Sequence, residues 1–388
     1  MIDYSAALSH AVKELSPSAI RRFFSISSEM EDVISLGVGE PDFKTPWPIR
    51  EAAIRSLKEG KTWYTANAGK RILRNEISSY LKRRFSLQYN PDSEIFLTVG
   101  GSEGLDLAIR TLVNPGEEVL IVEPSFVAYA PIVQSIGGIP VSIATCFEEE
   151  FRLTAAALKK AITPKAKLLI LPYPNNPTGS IMRREDLEEI AAVIRKSNLF
   201  VLSDEIYAEL TYEQQHISIA AIEDMWERTI VVNGFSKSFA MTGWRMGFIA
   251  APEPIVSQML KLHQYTIMCA PTTAQFAALT ALQECENEVS CMRDAYDLRR
   301  KYLVSSLNKM GLPCFMPQGA FYAFPSIQST GLCSEEFCER LLLQQRVAVI
   351  PGNAFGKAGE GFVRISYCYS LEHLQLALEK IKRFIEVL

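Results

Sequence analysis

Five apolar runs in the middle of the chain each end in polar or turn-forming residues. They are "EIFLTVGG" from residue 94, "EEVLIVEP" from 117, "AKLLILPYP" from 166, "LFVLSDEIY" from 199 and "TIVVNGFS" from 229. Their continuity predicts strands buried on both faces. Helical periodicity fills the intervals, in residues 72–85, "SEGLDLAIRTLV", "TAAALKKAI" and "REDLEEIAAVIRKS". Strands alternating with helices predict an α/β fold with a mostly parallel sheet flanked by helices. Residues 124–147 carry no charge, but three prolines and Gly137-Gly138 make them read as strand, turn and strand rather than a membrane helix. After Pro252 the texture changes: long helices run to about residue 307. A shorter α+β section follows, with "GAFYAFPS", a helix over 335–345, "VAVIPG", "GFVRISYC" and a terminal helix from 371. The expected division is a large domain over 46–284 and a smaller α+β domain made of 1–45 and 285–388.

In an open α/β sheet, ligands bind beyond the carboxyl ends of the strands. The residues just after each apolar run are therefore the place to look for chemistry. Gly100-Gly101-Ser102 comes after the first and opens a helix. Asn175-Asn176-Pro177-Thr178-Gly179 comes after "LILPYP", Asp204 and Tyr207 after "LFVLS", and Ser236 and Lys237 after "TIVVNG". Singly, each has a bland explanation: a turn, a helix cap, a strand-to-helix connection. Together they put a helix N-terminus, an amide, a carboxylate, a phenol and an amine around one rim. Backbone N–H groups at a helix start and the Arg245 fork suit a phosphate. A lysine in a dry site can lose its proton and form a Schiff base with an aldehyde. A carboxylate facing a pyridine nitrogen keeps it protonated and makes the ring an electron sink. The set describes a site for pyridoxal phosphate.

Composition narrows the rest. The 388 residues are 48% hydrophobic and 22% charged, enough for a substantial core, and the net charge of −4 gives no basic field for nucleic acid or an anionic membrane. The N-terminal residues lack the apolar stretch of a signal peptide, so a cytoplasmic protein is expected. The eight cysteines have no C-x-x-C pair and read as buried reduced thiols; the four histidines are scattered, so no metal site is expected. Arg71, Arg74, Arg83 and Arg84 read as a solvated helix face. "GNAFGKA" is one residue short of a phosphate-binding loop and ends in Ala358, and "GVGEPD" has Asp42 where a dinucleotide motif needs its third glycine.

The chain resembles the class I/II aminotransferases, type I fold of the pyridoxal-phosphate enzymes. It is most similar to the bacterial and archaeal branch that holds aspartate and aromatic transaminases and uncharacterised aminotransferases of bacilli. The resemblance runs through "SLGVGEPDF", "YTANAG", "PYPNNPTG", "SDEIYAELTY", "GFSKSFAMTGWRMGF" and "GEGFVRISY", in order and at family spacing. It implies that Lys237 carries the cofactor and moves the proton. Asp204 would pair with the pyridine nitrogen, Tyr207 and Asn176 with the ring hydroxyl, and Gly101, Ser102, Ser236 and Arg245 with the phosphate. Tyr64 would reach the phosphate of a neighbouring subunit, which implies a homodimer with shared active sites. Arg364 would grip the substrate carboxylate, and Gly39 would line the substrate site. Phe126 stands where many relatives stack tryptophan on the ring, and Gly234 where many have serine. Tyr322 either packs in the smaller domain or lines the pocket.

The implied activity is transfer of the amino group of an L-amino acid (aspartate, aromatic or broad range) to a 2-oxo acid such as 2-oxoglutarate, by a ping-pong route. A carbon–sulfur β-lyase on the same fold is the rival enzyme reading. A cofactor-sensing regulator is a weaker one, since no DNA-binding segment or basic face accompanies it.

Overall fold

The computed structural model describes residues 4–15 and 30–388. Residues 1–3 and 16–29, part of the stretch expected in the smaller domain, lie outside the described residues. The strands in chain order are β1 (Ile34–Ser35), β2 (Ile95–Thr98), β3 (Glu118–Glu123), β4 (Ile139–Ala144), β5 (Ala166–Leu171), β6 (Phe200–Asp204), β7 (Thr229–Gly234), β8 (Gly247–Ala250), β9 (Tyr322–Ala323), β10 (Val347–Ala348), β11 (Ile350–Pro351) and β12 (Val363–Ser366).

Seven of them form one sheet in the order β2-β8-β7-β6-β5-β3-β4. The pairs among β7, β6, β5, β3 and β4 are parallel, and β8 runs antiparallel to both its neighbours. The continuous apolar runs now have a cause. Val119 and Ile121 face one core with Leu168, Ile170 and Leu202; Leu120 and Val122 face another with Leu169, Leu171 and Val201. Successive side chains point to opposite faces, and both faces are covered. Helices Gly100–Leu112 and Glu253–Thr266 cover the first face, and Arg184–Ile194 the second.

Several expectations change. Residues 124–147 are not two strands: helix Tyr129–Ser135 precedes β4 and buries Tyr129 and Val133 four residues apart, before Gly137 turns the chain at φ 78°. Strand β8 has no counterpart among the expected strands, because four residues after a dense motif carry little pattern of their own. The arginines on helix Arg71–Phe85 are not one solvated face. Arg74 is buried, and Arg84 makes two hydrogen bonds to the buried Glu209 carboxylate. Of the eight cysteines, all free, only Cys285, Cys314, Cys338 and Cys368 are buried.

A second layer pairs β11, β12 and β9 in antiparallel fashion, and β1 with β10 in parallel. Helices Glu286–Lys309, Ser334–Gln345 and Leu371–Glu386 pack around it, with Leu303, Leu307, Phe337, Leu341, Ile365, Leu374 and Ile381 in one core. That core also takes in Tyr207, Leu210 and Tyr212 from just beyond β6. The two layers therefore meet at the carboxyl ends of the main strands. No helix of the described residues is long and apolar enough to cross a membrane.

Candidate active site

Because β8 is antiparallel to both β7 and β2, β2 runs in the same direction as β7. The start of helix Gly100–Leu112 therefore shares a rim with the ends of β5, β6 and β7. A cavity of about 330 Å³ opens there, and Gly101, Ser102, Phe126, Asn176, Asp204, Tyr207, Ser236, Lys237 and Arg245 line it from the sheet side. Gly39, Tyr322 and Arg364 close it from the other layer. Every residue expected to face cofactor or substrate within one chain is thus brought to one cavity. Tyr64 is not among them: it is 75% exposed and lies outside the cavity lining.

Glycines bring the helix start onto the sheet. A Cβ on Gly247 would lie 2.7 Å from the Gly100 carbonyl carbon and 2.8 Å from the Gly101 nitrogen. A Cβ on Gly234 would lie 2.9 Å from both Gly247 Cα and the Met246 oxygen. These distances leave no room for a side chain against backbone. Gly234, where many relatives have serine, is here a packing position in the β7–β8 pair. The first N–H groups of the helix lack intrahelical partners and are free to meet an anion. Arg245 lines the same end in the left-handed region, at φ 52°, with Nη1 donating to the Thr242 carbonyl at 3.0 Å.

Asp204 ends β6 and is buried. Burial raises its pKa, while the Tyr129 hydroxyl, donating to Oδ2 at 2.6 Å, and the Ile206 N–H, donating to Oδ1 at 3.3 Å, pull it down. Among the described residues no cation is bonded to the carboxylate, and Lys237 acts on it only through space, so it has capacity for one more positive partner. Lys237 donates to the Gly39 carbonyl at 2.7 Å, and burial lowers its pKa to about 8. Arg364 on β12 donates through Nη1 to Asn176 Oδ1 at 2.8 Å and through Nη2 to the Gly37 carbonyl at 2.5 Å; its buried Nε has no hydrogen-bond partner among the described residues. Phe126 meets Tyr129 edge-on, with ring centroids 5.7 Å apart.

Two residues complete this picture. Tyr129, which sequence reasoning misses, is the buried donor to Asp204; its signal is the position three residues after Phe126, across the turn that leads into its helix. Tyr322, for which the sequence allows two places, occupies both: it is buried in the second layer and it lines the cavity.

The comparisons with known proteins agree with this geometry. The family model "Aminotransferase class I and II" matches residues 31–381. The Bacillus subtilis (strain 168) protein YugH, provisionally named an aminotransferase, is 55% identical over 97% of this chain and 98% of its own. An aspartate aminotransferase of Pyrococcus abyssi is 47% identical over 97% of this chain and 98% of its own. Among solved structures, the aspartate aminotransferase of Thermus thermophilus with maleate superposes with a TM-score of 0.92, at 37% identity, over 97% of this chain and 99% of that one.

Pyridoxal phosphate, the family's cofactor, fits the donor set. Its phosphate suits the helix start and Arg245, its ring nitrogen suits the buried Asp204 carboxylate, and its aldehyde suits an amine with a lowered pKa. The chain belongs to the class I and II aminotransferases and is a pyridoxal-phosphate-dependent aminotransferase of the type I fold, taking amino acid and 2-oxo acid substrates.

Proposed function

We propose that this enzyme moves the amino group of an aspartate-like, aromatic or broader range of L-amino acids to 2-oxoglutarate, at a site in which each residue has one task. The observation that carries the assignment is the half-buried Lys237 amine, bonded to the Gly39 carbonyl, in one cavity with Asp204 and Arg364. When bound, the cofactor supplies an aldehyde for the amino group and a ring that accepts the electron pair left when the Cα proton is removed. Lys237 would hold the cofactor through Nζ and, as a free amine, would take the Cα proton on Nζ and give it up again. Neutral Nζ is accessible near pH 8 because burial disfavours the charged form. Asp204 would meet the ring nitrogen, with the Tyr129 hydroxyl keeping its carboxylate in place. Asn176 and Tyr207 would take the ring oxygen. Arg364, which already fixes the Asn176 carbonyl oxygen, grips the substrate carboxylate in a forked pair. Gly101, Ser102, Ser236 and Arg245 would hold the phosphate, and Phe126 would stack on the ring.

The working unit in this reading is a homodimer in the cytoplasm. Segments near Trp63 and Met268 are joined by hydrogen bonds from Asn67 Nδ2 to the Met268 carbonyl at 2.8 Å and from Thr272 Oγ1 to the Trp63 carbonyl at 2.7 Å. They expose Trp63, Tyr64, Tyr265 and Met268, a surface suited to a second copy, and from it Tyr64 would reach the partner's phosphate. The division into 46–284 against 1–45 with 285–388 is supported by β1 pairing with β10 and by Ile34 and Leu36 entering the second core. The relatives from Pyrococcus abyssi and Thermus thermophilus are named for aspartate, which favours an acidic donor, and neither is named a lyase. Reduction of the holoenzyme with borohydride, followed by peptide mapping, tests the assignment: the cofactor is expected on Lys237, and its attachment to any other lysine refutes it.

A further inference from the structure

Tyr322 stands where three parts of the cavity meet. It lies on β9, 1% exposed, with its ring edge-on to Tyr207 at a centroid distance of 5.8 Å. The two hydroxyls are 2.8 Å apart. The Tyr322 hydroxyl also fills the space that a side chain on Gly39 would need. The Arg364 guanidinium sits against the Tyr322 ring, 4.5 Å from its centroid.

In a pair of phenols at this distance only one can donate to the other. Burial raises both phenols, and the Arg364 cation, 4.5 Å from the Tyr322 ring centroid, pulls Tyr322 back towards the more acidic side. The more acidic phenol is the better donor. With Tyr322 donating, the Tyr207 O–H must point away from it, and the cavity is the space both residues line.

We propose that Tyr322 is a positioning residue for transamination: by donating to Tyr207 it aims the Tyr207 O–H at the cofactor's ring oxygen, and Arg364 on its ring couples that aim to binding of the substrate carboxylate. The inference rests on the tasks proposed for Tyr207 and Arg364. No bond is made or broken by Tyr322. Its contribution is the direction of one hydrogen bond.

The test reads the visible absorption band of the holoenzyme against pH, with no turnover. Tyr207→Phe removes the donor to the ring oxygen, which then holds the neighbouring proton more tightly, so the titration midpoint moves up. Tyr322→Phe keeps the ring and its packing and moves the midpoint the same way by less, roughly half a pH unit, a fraction of one hydrogen bond. The double variant matches Tyr207→Phe alone, because Tyr322 acts through Tyr207. Saturating maleate, a carboxylate with no amino group, shifts the midpoint of the unaltered enzyme more than that of Tyr322→Phe. A midpoint that moves in Tyr207→Phe and stays fixed in Tyr322→Phe makes Tyr322 a packing residue and overturns the proposal. Additive shifts in the double variant overturn it too. An unmoved midpoint in Tyr207→Phe removes the Tyr207 assignment beneath it, and the proposal falls with that reading.

Discussion

The two walls of the cavity are built in different ways. The sheet wall comes from strand ends, and each of its groups sits within a few residues of an apolar run: Gly101 and Ser102 after β2, Asp204 at the end of β6, Lys237 after β7. The opposite wall joins Gly39, Tyr322 and Arg364, which are far apart in the chain and held by contacts across the cavity. Arg364 bonds Gly37 and Asn176, Lys237 bonds Gly39, and Tyr322 bonds Tyr207. The sheet wall fixes charge by backbone packing. The other wall fixes it by contacts between layers.

Damage to the two walls should separate accordingly. The largest effect is expected at Lys237. Lys237→Ala should lower turnover by about 10⁴-fold, the upper range for loss of a general base, while cofactor is still held noncovalently; stopped-flow kinetics and equilibrium dialysis measure the two. The pH dependence belongs to the same group. Capture of added cofactor by the cofactor-free protein needs the neutral amine, so its rate should rise with pH, level off above about 8, and not continue to climb towards the ordinary lysine range. Arg364→Ala should raise KM about 100-fold for every amino acid, matching a charge-assisted pair of about 3 kcal/mol; an effect confined to acidic donors would make it a side-chain residue.

A weaker effect is expected beneath the phosphate. Gly247→Ala should reduce cofactor affinity about 10-fold, since the new Cβ pushes the helix start off the sheet at a typical overpacking cost of about 1–3 kcal/mol. Fluorescence titration reads the affinity, and a thermal melt separates it from loss of fold. The smallest change is Tyr129→Phe, expected to slow proton removal by about 3–10-fold, the size of one buried hydrogen bond. Removing that donor lets burial raise Asp204 further, so the loss should grow as pH falls.

The same contrast explains how much the sequence reveals. The parallel strands and the sheet wall are legible because each group comes just after an apolar run, and local order carries that information. Tyr129 is missed because its meaning depends on Asp204, 75 residues away. Tyr322 stays ambiguous because the Tyr207 contact spans 115 residues. Strand β8 is hidden by brevity, and Arg74 and Arg84 by partners on other elements. Gly234, where the resemblance leads one to expect serine, has its steric cause in the approach of β8.

The most direct measurement is a single half-reaction. Purified holoenzyme is mixed with one amino acid at a time, without any oxo acid, and its visible band is followed. Conversion to the spectrum of the amino form of the cofactor, reversed by 2-oxoglutarate, is the expected result and ranks the donors by rate. Retention of the band with release of pyruvate and ammonia from a cysteine derivative would contradict the account and make the enzyme a lyase.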